Sequence, residues 1–179
     1  VREEEFSVKY GSGKVIFMEH QSDLFADGIP SETISRIIAH CKCWPDNKYV
    51  FQTKNPNRML ACIGAMPSNC FFGTTIESNI QHNEMMDAPP PSSRARAMSI
   101  IALHHRTFVT IEPIMRFDLS VLTGWIKEMN PEFVNVGADS KGSGLVEPTR
   151  DEINALIVAI ADLGIEVRGK HNLERLVKK

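Results

Sequence analysis

The chain has 179 residues, 42% hydrophobic and 23% charged, an ordinary globular composition with length for one cored domain or a large part of a barrel. A formal net charge of −2 gives no basic field for duplex DNA or an anionic membrane, so a nucleic-acid partner has no support from charge. No apolar run approaches the roughly 20 residues needed to cross a bilayer, and the acidic start Val1-Arg2-Glu3-Glu4-Glu5 is unlike a signal peptide, so the expectation is a soluble, cytoplasmic protein without a membrane partner.

The first predicted strand is Lys14-Val15-Ile16-Phe17-Met18, a continuous apolar run of the kind found in parallel sheets. Ser31 is placed to cap a helix whose Ile34, Ile37, Ile38 and Cys41 share one face. A second strand, Lys48-Tyr49-Val50-Phe51-Gln52-Thr53, leads to Asn55 as a cap and Pro56 in the first turn of a helix striped by Met59, Leu60 and Ile63. Cys70-Phe71-Phe72-Gly73-Thr74-Thr75-Ile76 reads as the third strand. After a polar stretch and three prolines, a helix is predicted over residues 92–104 with Ala95, Met98, Ile101 and Ala102. The fourth strand is Thr107-Phe108-Val109-Thr110-Ile111, followed after Asp118 by a helix carrying Leu122, Trp125, Ile126 and Met129. Phe133-Val134-Asn135-Val136-Gly137 is the fifth strand. Thr149 and Glu152 then form a capping box for a helix striped by Ile153, Leu156, Ile157 and Ile160, which Gly164 ends before a sixth strand, Ile165-Glu166-Val167-Arg168.

This alternation with short connections implies parallel strands joined by right-handed crossovers. A doubly wound sheet and a barrel both satisfy it. A doubly wound nucleotide binder usually has a glycine-rich turn after its first strand; here that place holds Glu19-His20-Gln21-Ser22-Asp23, so the reading is a single partial TIM-like (β/α) barrel over residues 1–179. A chain that opens on Val1 is expected to be a piece whose beginning lies upstream.

All six strands end in charged or amide residues, and in parallel α/β proteins these ends share the rim where ligands bind. Lys54, Glu112 and Lys170 directly follow apolar runs and are expected at the barrel mouth, with His20 and His171 on the rim and His40 and His104 structural on helices. Asn55 and Asp118 read as caps. The four cysteines, Cys41, Cys43, Cys62 and Cys70, are read as buried or incidental thiols, since no second pair or matching histidine pair accompanies Cys41-Lys42-Cys43 at finger-like spacing, and no protein-held metal is expected. The turn Lys141-Gly142-Ser143-Gly144 reads as a flexible loop rather than an anion cradle.

In order along the chain, Gln21-Ser22-Asp23-Leu24-Phe25 with Ile29-Pro30, Phe51-Gln52-Thr53-Lys54-Asn55-Pro56-Asn57-Arg58-Met59, Gly73-Thr74-Thr75-Ile76-Glu77-Ser78, Thr110-Ile111-Glu112-Pro113-Ile114, Val136-Gly137-Ala138-Asp139-Ser140 and Gly169-Lys170-His171 resemble a phage and bacterial protein family related to radical S-adenosylmethionine (SAM) enzymes. The resemblance implies a partial β/α barrel that binds SAM and an iron–sulfur cluster at the strand ends. In such enzymes the cluster passes an electron to SAM and the deoxyadenosyl radical takes a hydrogen from the substrate. It implies Glu77, Asn79 and Glu112 as holders of SAM polar groups. Asp23, Lys54, Asp139 and Lys170 would bind substrate or orient the SAM carboxylate.

The sequence departs from the family in three places. The cluster cysteines of the family belong to a segment upstream of the Ser-Asp-Leu-Phe motif, and none of the four cysteines here stands in for them. Asp139 replaces a glutamate and His171 a glutamine. One alternative is a cluster-free barrel that binds a nucleotide, nucleic acid or protein partner at the same rim. Another is an aldolase-like barrel with Lys54 or Lys170 as a Schiff-base nucleophile. Substrate, small or macromolecular, is not legible, and an open barrel edge is expected to favour dimerisation or aggregation.

Overall fold

Apolar runs separated by amphipathic stretches require a parallel arrangement, because each crossover must return over the sheet before the next strand can pair. The computed structural model of the protein describes residues 3–18 and 22–178. Among the described residues, β1 (Val15–Met18), β2 (Lys48–Thr53), β3 (Cys70–Thr75), β4 (Thr107–Ile111), β5 (Phe133–Val136) and β6 (Glu166–Gly169) form one parallel sheet in chain order. The crossover helices are α1 (Ser31–Lys42), α2 (Pro56–Ala61), α3 (Pro91–Ala102), α4 (Leu119–Met129) and α5 (Arg150–Asp162), with a short α6 (Glu174–Val177) after β6. The strand order never reverses, so there is no switch point of the doubly wound kind. The fold is a partial, open β/α barrel.

Local chemistry sets most element ends. Asn55 Oδ1 accepts the Arg58 N–H, Asp118 accepts the Val121 N–H, and Thr149 and Glu152 close the capping box on α5. Gly164, at φ +78°, takes the left-handed conformation just past α5. The cap expected at Ser31 is a correction. The Ile34 N–H already reaches Pro30 O at 3.3 Å, so the ladder starts one residue earlier and the helix has no side-chain cap. α2 is also shorter than its stripe suggests. It ends at Ala61, and Ile63 falls in the 3-10 turn Ile63–Ala65, where Gly64 and the residue before Pro67 resist further α-helix. His104 lies in the exposed turn after α3, not on the helix.

Strand alternation divides the sheet into two faces. The helix-side face carries Tyr49, Phe51, Phe72, Val109, Val134 and Val136, all fully buried against Ile34, Ile38, Met98, Ile126 and Leu156 of the helices. The opposite, inward face carries Phe17, Val50, Gln52, Phe71, Thr75, Thr110, Phe133 and Asn135. The Phe108 and Phe133 rings stack there, 5.3 Å between centroids, with Phe71 at 5.1 and 5.5 Å from them. Phe108 points its ring tip at Gly73, and any Cβ at that position would run into it.

Candidate functional site

The inward parity, carried past the last residue of each strand, brings Lys54 after Gln52, Glu77 after Thr75, Glu112 after Thr110 and Lys170 after Arg168. The rim charges thus share a face because strand alternation delivers them there. Lys54, Glu77, Glu112 and Asp139 line one cavity of about 400 Å³ at the C-terminal ends of the strands. Met86, Pro113, Met115 and Leu145 contribute apolar surface to the same cavity, beside the polar Glu84, Ser140, Lys141 and Ser143.

Glu77 is 2% exposed and held between two cations. Arg94 of α3 donates to its Oε2 at 2.8 Å, and Lys54 Nζ lies 2.5 Å from its Oε1. The Arg94 guanidinium has no solvent exposure and also donates to Thr75 O and Pro89 O, at 2.8 and 2.7 Å. A buried charge this well bonded is tolerated, and the pair leaves Lys54 as the surplus, half-exposed cation of the group.

Glu112 is held from the β6 side. Lys170 Nζ pairs with its Oε2, and Asn172 Nδ2 donates to its Oε1 at 2.6 Å and to Ala138 O at 2.7 Å. Glycine at 137 permits this approach, since a Cβ there would lie 2.7 Å from Glu112 Oε1 and 2.9 Å from Asn172 Oδ1. The segment after Glu112 is pinned on both sides: Ile114 N–H donates to Gly137 O at 2.8 Å and Met115 N–H to Glu77 O at 3.0 Å.

The other expected site residues divide. Asp139 lines the cavity, but its carboxylate accepts the backbone N–H groups of Lys141 (2.9 Å) and Ser143 (2.5 Å) and so organises the 139–143 loop. Those N–H groups hold its pKa below the ordinary carboxylate value. The loop read from sequence as merely flexible is therefore anchored by Asp139. Asp23 lines a neighbouring cavity, also about 400 Å³, that shares Lys54 with the first. Its carboxylate accepts Thr53 Oγ1 at 2.7 Å, Phe25 N–H at 3.0 Å and Lys54 N–H at 2.8 Å, tying the loop after β1 to the end of β2. Asn79 does not line the rim cavity; its Oδ1 accepts the Asp118 N–H at 2.8 Å. His171 is 97% exposed beside Glu174, and His40 packs edge-on against Phe6 and Tyr10. The reading of Glu19, His20 and Gln21 as rim residues lies outside the described residues.

Arg94 and Asn172 were not among the site residues expected from sequence. Arg94 did leave a signal, because positions 94, 98 and 101 share the buried stripe of α3 and an arginine there must find a buried acceptor. Asn172 left only its place after the sixth strand. The cysteines are remote from the rim: Cys41 and Cys70 are buried in the core, where burial pushes each thiol up to about 12, and neither Cys43 nor Cys62 lines the cavity. Among the described residues no group of three or more His, Cys, Asp or Glu is arranged to hold a metal ion.

Sheet order, open edges and charged rim together define a partial, open β/α barrel with a polar cavity at the C-terminal ends of its strands. The chain belongs to the family described as Protein of unknown function (DUF5131), whose sequence model matches residues 3–142. No curated protein matches it in sequence. Among solved structures it is similar to a domain of pyruvate-formate lyase-activating enzyme from Bacteroides vulgatus, with a TM-score of 0.60 and 11% identity over 88% of this chain and 99% of that one. It is also similar to SuiB of Streptococcus suis, with a TM-score of 0.56 and 7% identity over 92% of this chain and 41% of that one. At such identities the likeness is one of fold.

Proposed function

We propose that the chain binds SAM in the cavity at the C-terminal rim of its strands, as most of the barrel of a radical-SAM-like protein. The observation that supports this best is the make-up of that one cavity. It is lined both by charged residues, among them Lys54, Glu77 and Glu112, and by apolar ones, among them Met86, Pro113 and Met115. SAM has the matching halves: a flat adenine ring at one end, and an ammonium, a carboxylate and a sulfonium at the other. Glu112 offers an acceptor for the cationic groups, Lys54 a donor for the carboxylate. A volume of about 400 Å³ lies within the range of small-molecule pockets, roughly 300–1,000 Å³.

The residues do not fit an iron–sulfur cluster. Buried thiols held near 12 resist the thiolate state that cluster iron needs, and no cysteine lines the cavity. No chemical step is therefore derived through a cluster. A second reading is a barrel that binds its ligand at the same rim without iron. Anaerobic reconstitution with iron and sulfide, followed by metal analysis and visible absorbance, separates the two.

Titration calorimetry with SAM tests the binding itself. The protein is expected to bind, and Glu112→Gln to bind about tenfold or more weakly, as expected for losing a charge-assisted hydrogen bond of roughly 1.5–3 kcal/mol. Absence of heat, and of any rise in melting temperature, at millimolar SAM would sink the reading.

A further inference from the structure

The strap between β3 and α3 carries one side chain that the charges of the rim leave unexplained. Met86 is 81% exposed, more than any other large apolar residue among those described. Its backbone sits at φ +52°, ψ −135°, a conformation that disfavours every residue but glycine. An exposed methionine adds nothing to the core, so folding stability does not account for keeping it there.

The conformation is imposed from both flanks. Met85 is buried, its Sδ 3.7 Å from Arg94 Nη2, and Pro89 O accepts from Arg94 Nε at 2.7 Å. Between these anchors the Met86 N–H donates to Asn83 O at 3.1 Å and the Ala88 N–H to Met85 O at 3.3 Å. The same guanidinium holds Glu77 at 2.8 Å. One buried arginine thus fixes both a carboxylate inside the cavity and the strap at its mouth. Met86 lines that cavity beside Pro113, Met115 and Leu145. Backbone strain that the surroundings over-determine is characteristic of ligand clamps.

We propose that Met86 is a ligand-covering specificity residue, its thioether lying against the flat face of a nucleoside base held in the rim cavity. The proposal rests on the SAM reading above and adds which end of the ligand sits under the strap. A flexible thioether suits the face or edge of an aromatic ring, and Pro113 and Met115, which line the same cavity, add apolar surface for that ring.

Met86→Ala, Met86→Gly and Met86→Leu, each titrated with SAM and melted without it, test the proposal. Alanine and glycine are expected to weaken SAM roughly two- to tenfold, the worth of a sulfur–aromatic contact, while leucine keeps most of the affinity. Glycine is also expected to raise the melting temperature of the ligand-free protein, because it relieves the positive φ, so the loss of affinity cannot be blamed on misfolding. Equal affinity in all four proteins overturns the proposal and leaves the SAM reading standing. No binding by the unsubstituted protein overturns the SAM reading, and this proposal with it.

Discussion

Arg94 has the most consequential side chain in the molecule. It is fully buried on the face of α3 that otherwise carries Ala95, Met98 and Ile101, and it satisfies Glu77, Thr75 O and Pro89 O at once. Removing it leaves Glu77, itself 2% exposed, with only the half-exposed Lys54 as partner. Arg94→Met is expected to destabilise the protein by about 3–5 kcal/mol, the cost of breaking one side of a buried pair. The double variant Arg94→Met, Glu77→Met is expected to lose less than the sum of the two single variants, because neither charge is then stranded. Denaturant midpoints measure both. A loss below about 1 kcal/mol for the single variant is what a solvated surface pair would give, and would contradict the geometry. The sequence displayed this residue at stripe spacing, yet an arginine with an apolar stem is read by habit as a solvated flank. What sequence could not give was the acceptor, since Glu77 lies 17 residues away and on another element.

At the scale of elements, legibility followed the strength of the local signal. β2 and β4 match their sequence boundaries, and the caps at Asn55, Asp118 and Thr149 stand where expected, because strand runs and capping side chains act within a few residues. Ser31 failed because a proline carbonyl opened the ladder first, a competition between neighbours that residue type does not encode. Lys54, Glu77, Glu112 and Asp139 were placed on one rim because each lies in a segment that ends a strand, and they do line one cavity. Their partners come from outside the strands, Arg94 from the crossover helix α3 and Asn172 from the 3-10 turn after β6, whose packing strand parity does not determine. The loop at 139–143 shows how an element can hang on one carboxylate. Backbone N–H groups of Lys141 and Ser143 lower the Asp139 pKa, so the loop contacts are fully present above the ordinary carboxylate value of about 3.9 and are lost as pH falls through the depressed folded value. Amide resonances of Lys141 and Ser143 are expected to move together, with a midpoint below that of an unperturbed aspartate. In Asp139→Asn the common transition should vanish. A midpoint at or above about 3.9 would mean that the N–H groups do not stabilise the ionised form.

For the whole molecule, the two edges of the open barrel differ in a way that predicts its behaviour in solution. On β6 the inward residues are Glu166 and Arg168, paired at 2.7 Å, with the guanidinium 3.5 Å over the Phe133 ring. Charged inward residues of this kind keep a sheet edge from recruiting another strand. β1 has no such guard: its residues are Val15, Ile16, Phe17 and Met18. Lys14 O accepts the Lys48 N–H at 2.8 Å, and a parallel ladder alternates, so the backbone groups of Val15 and Phe17 face away from β2. The same two side chains are 70% and 49% exposed on the inward face. Among the described residues, backbone groups without a sheet partner and exposed apolar side chains therefore coincide on one strand, the combination that pairs edge to edge. The protein is expected to self-associate with rising concentration in sedimentation velocity, and Phe17→Lys to shift it towards monomer with little loss of stability, since the side chain it replaces is half exposed. Val158→Lys is the control. Val158 is 58% exposed, but it lies on α5, where every backbone group is already spent within the helix, so that variant should associate like the parent. If Phe17→Lys and Val158→Lys behave alike, apolar exposure in general and not the β1 edge governs association; if the parent is monomeric at every concentration, the edge is closed by other means.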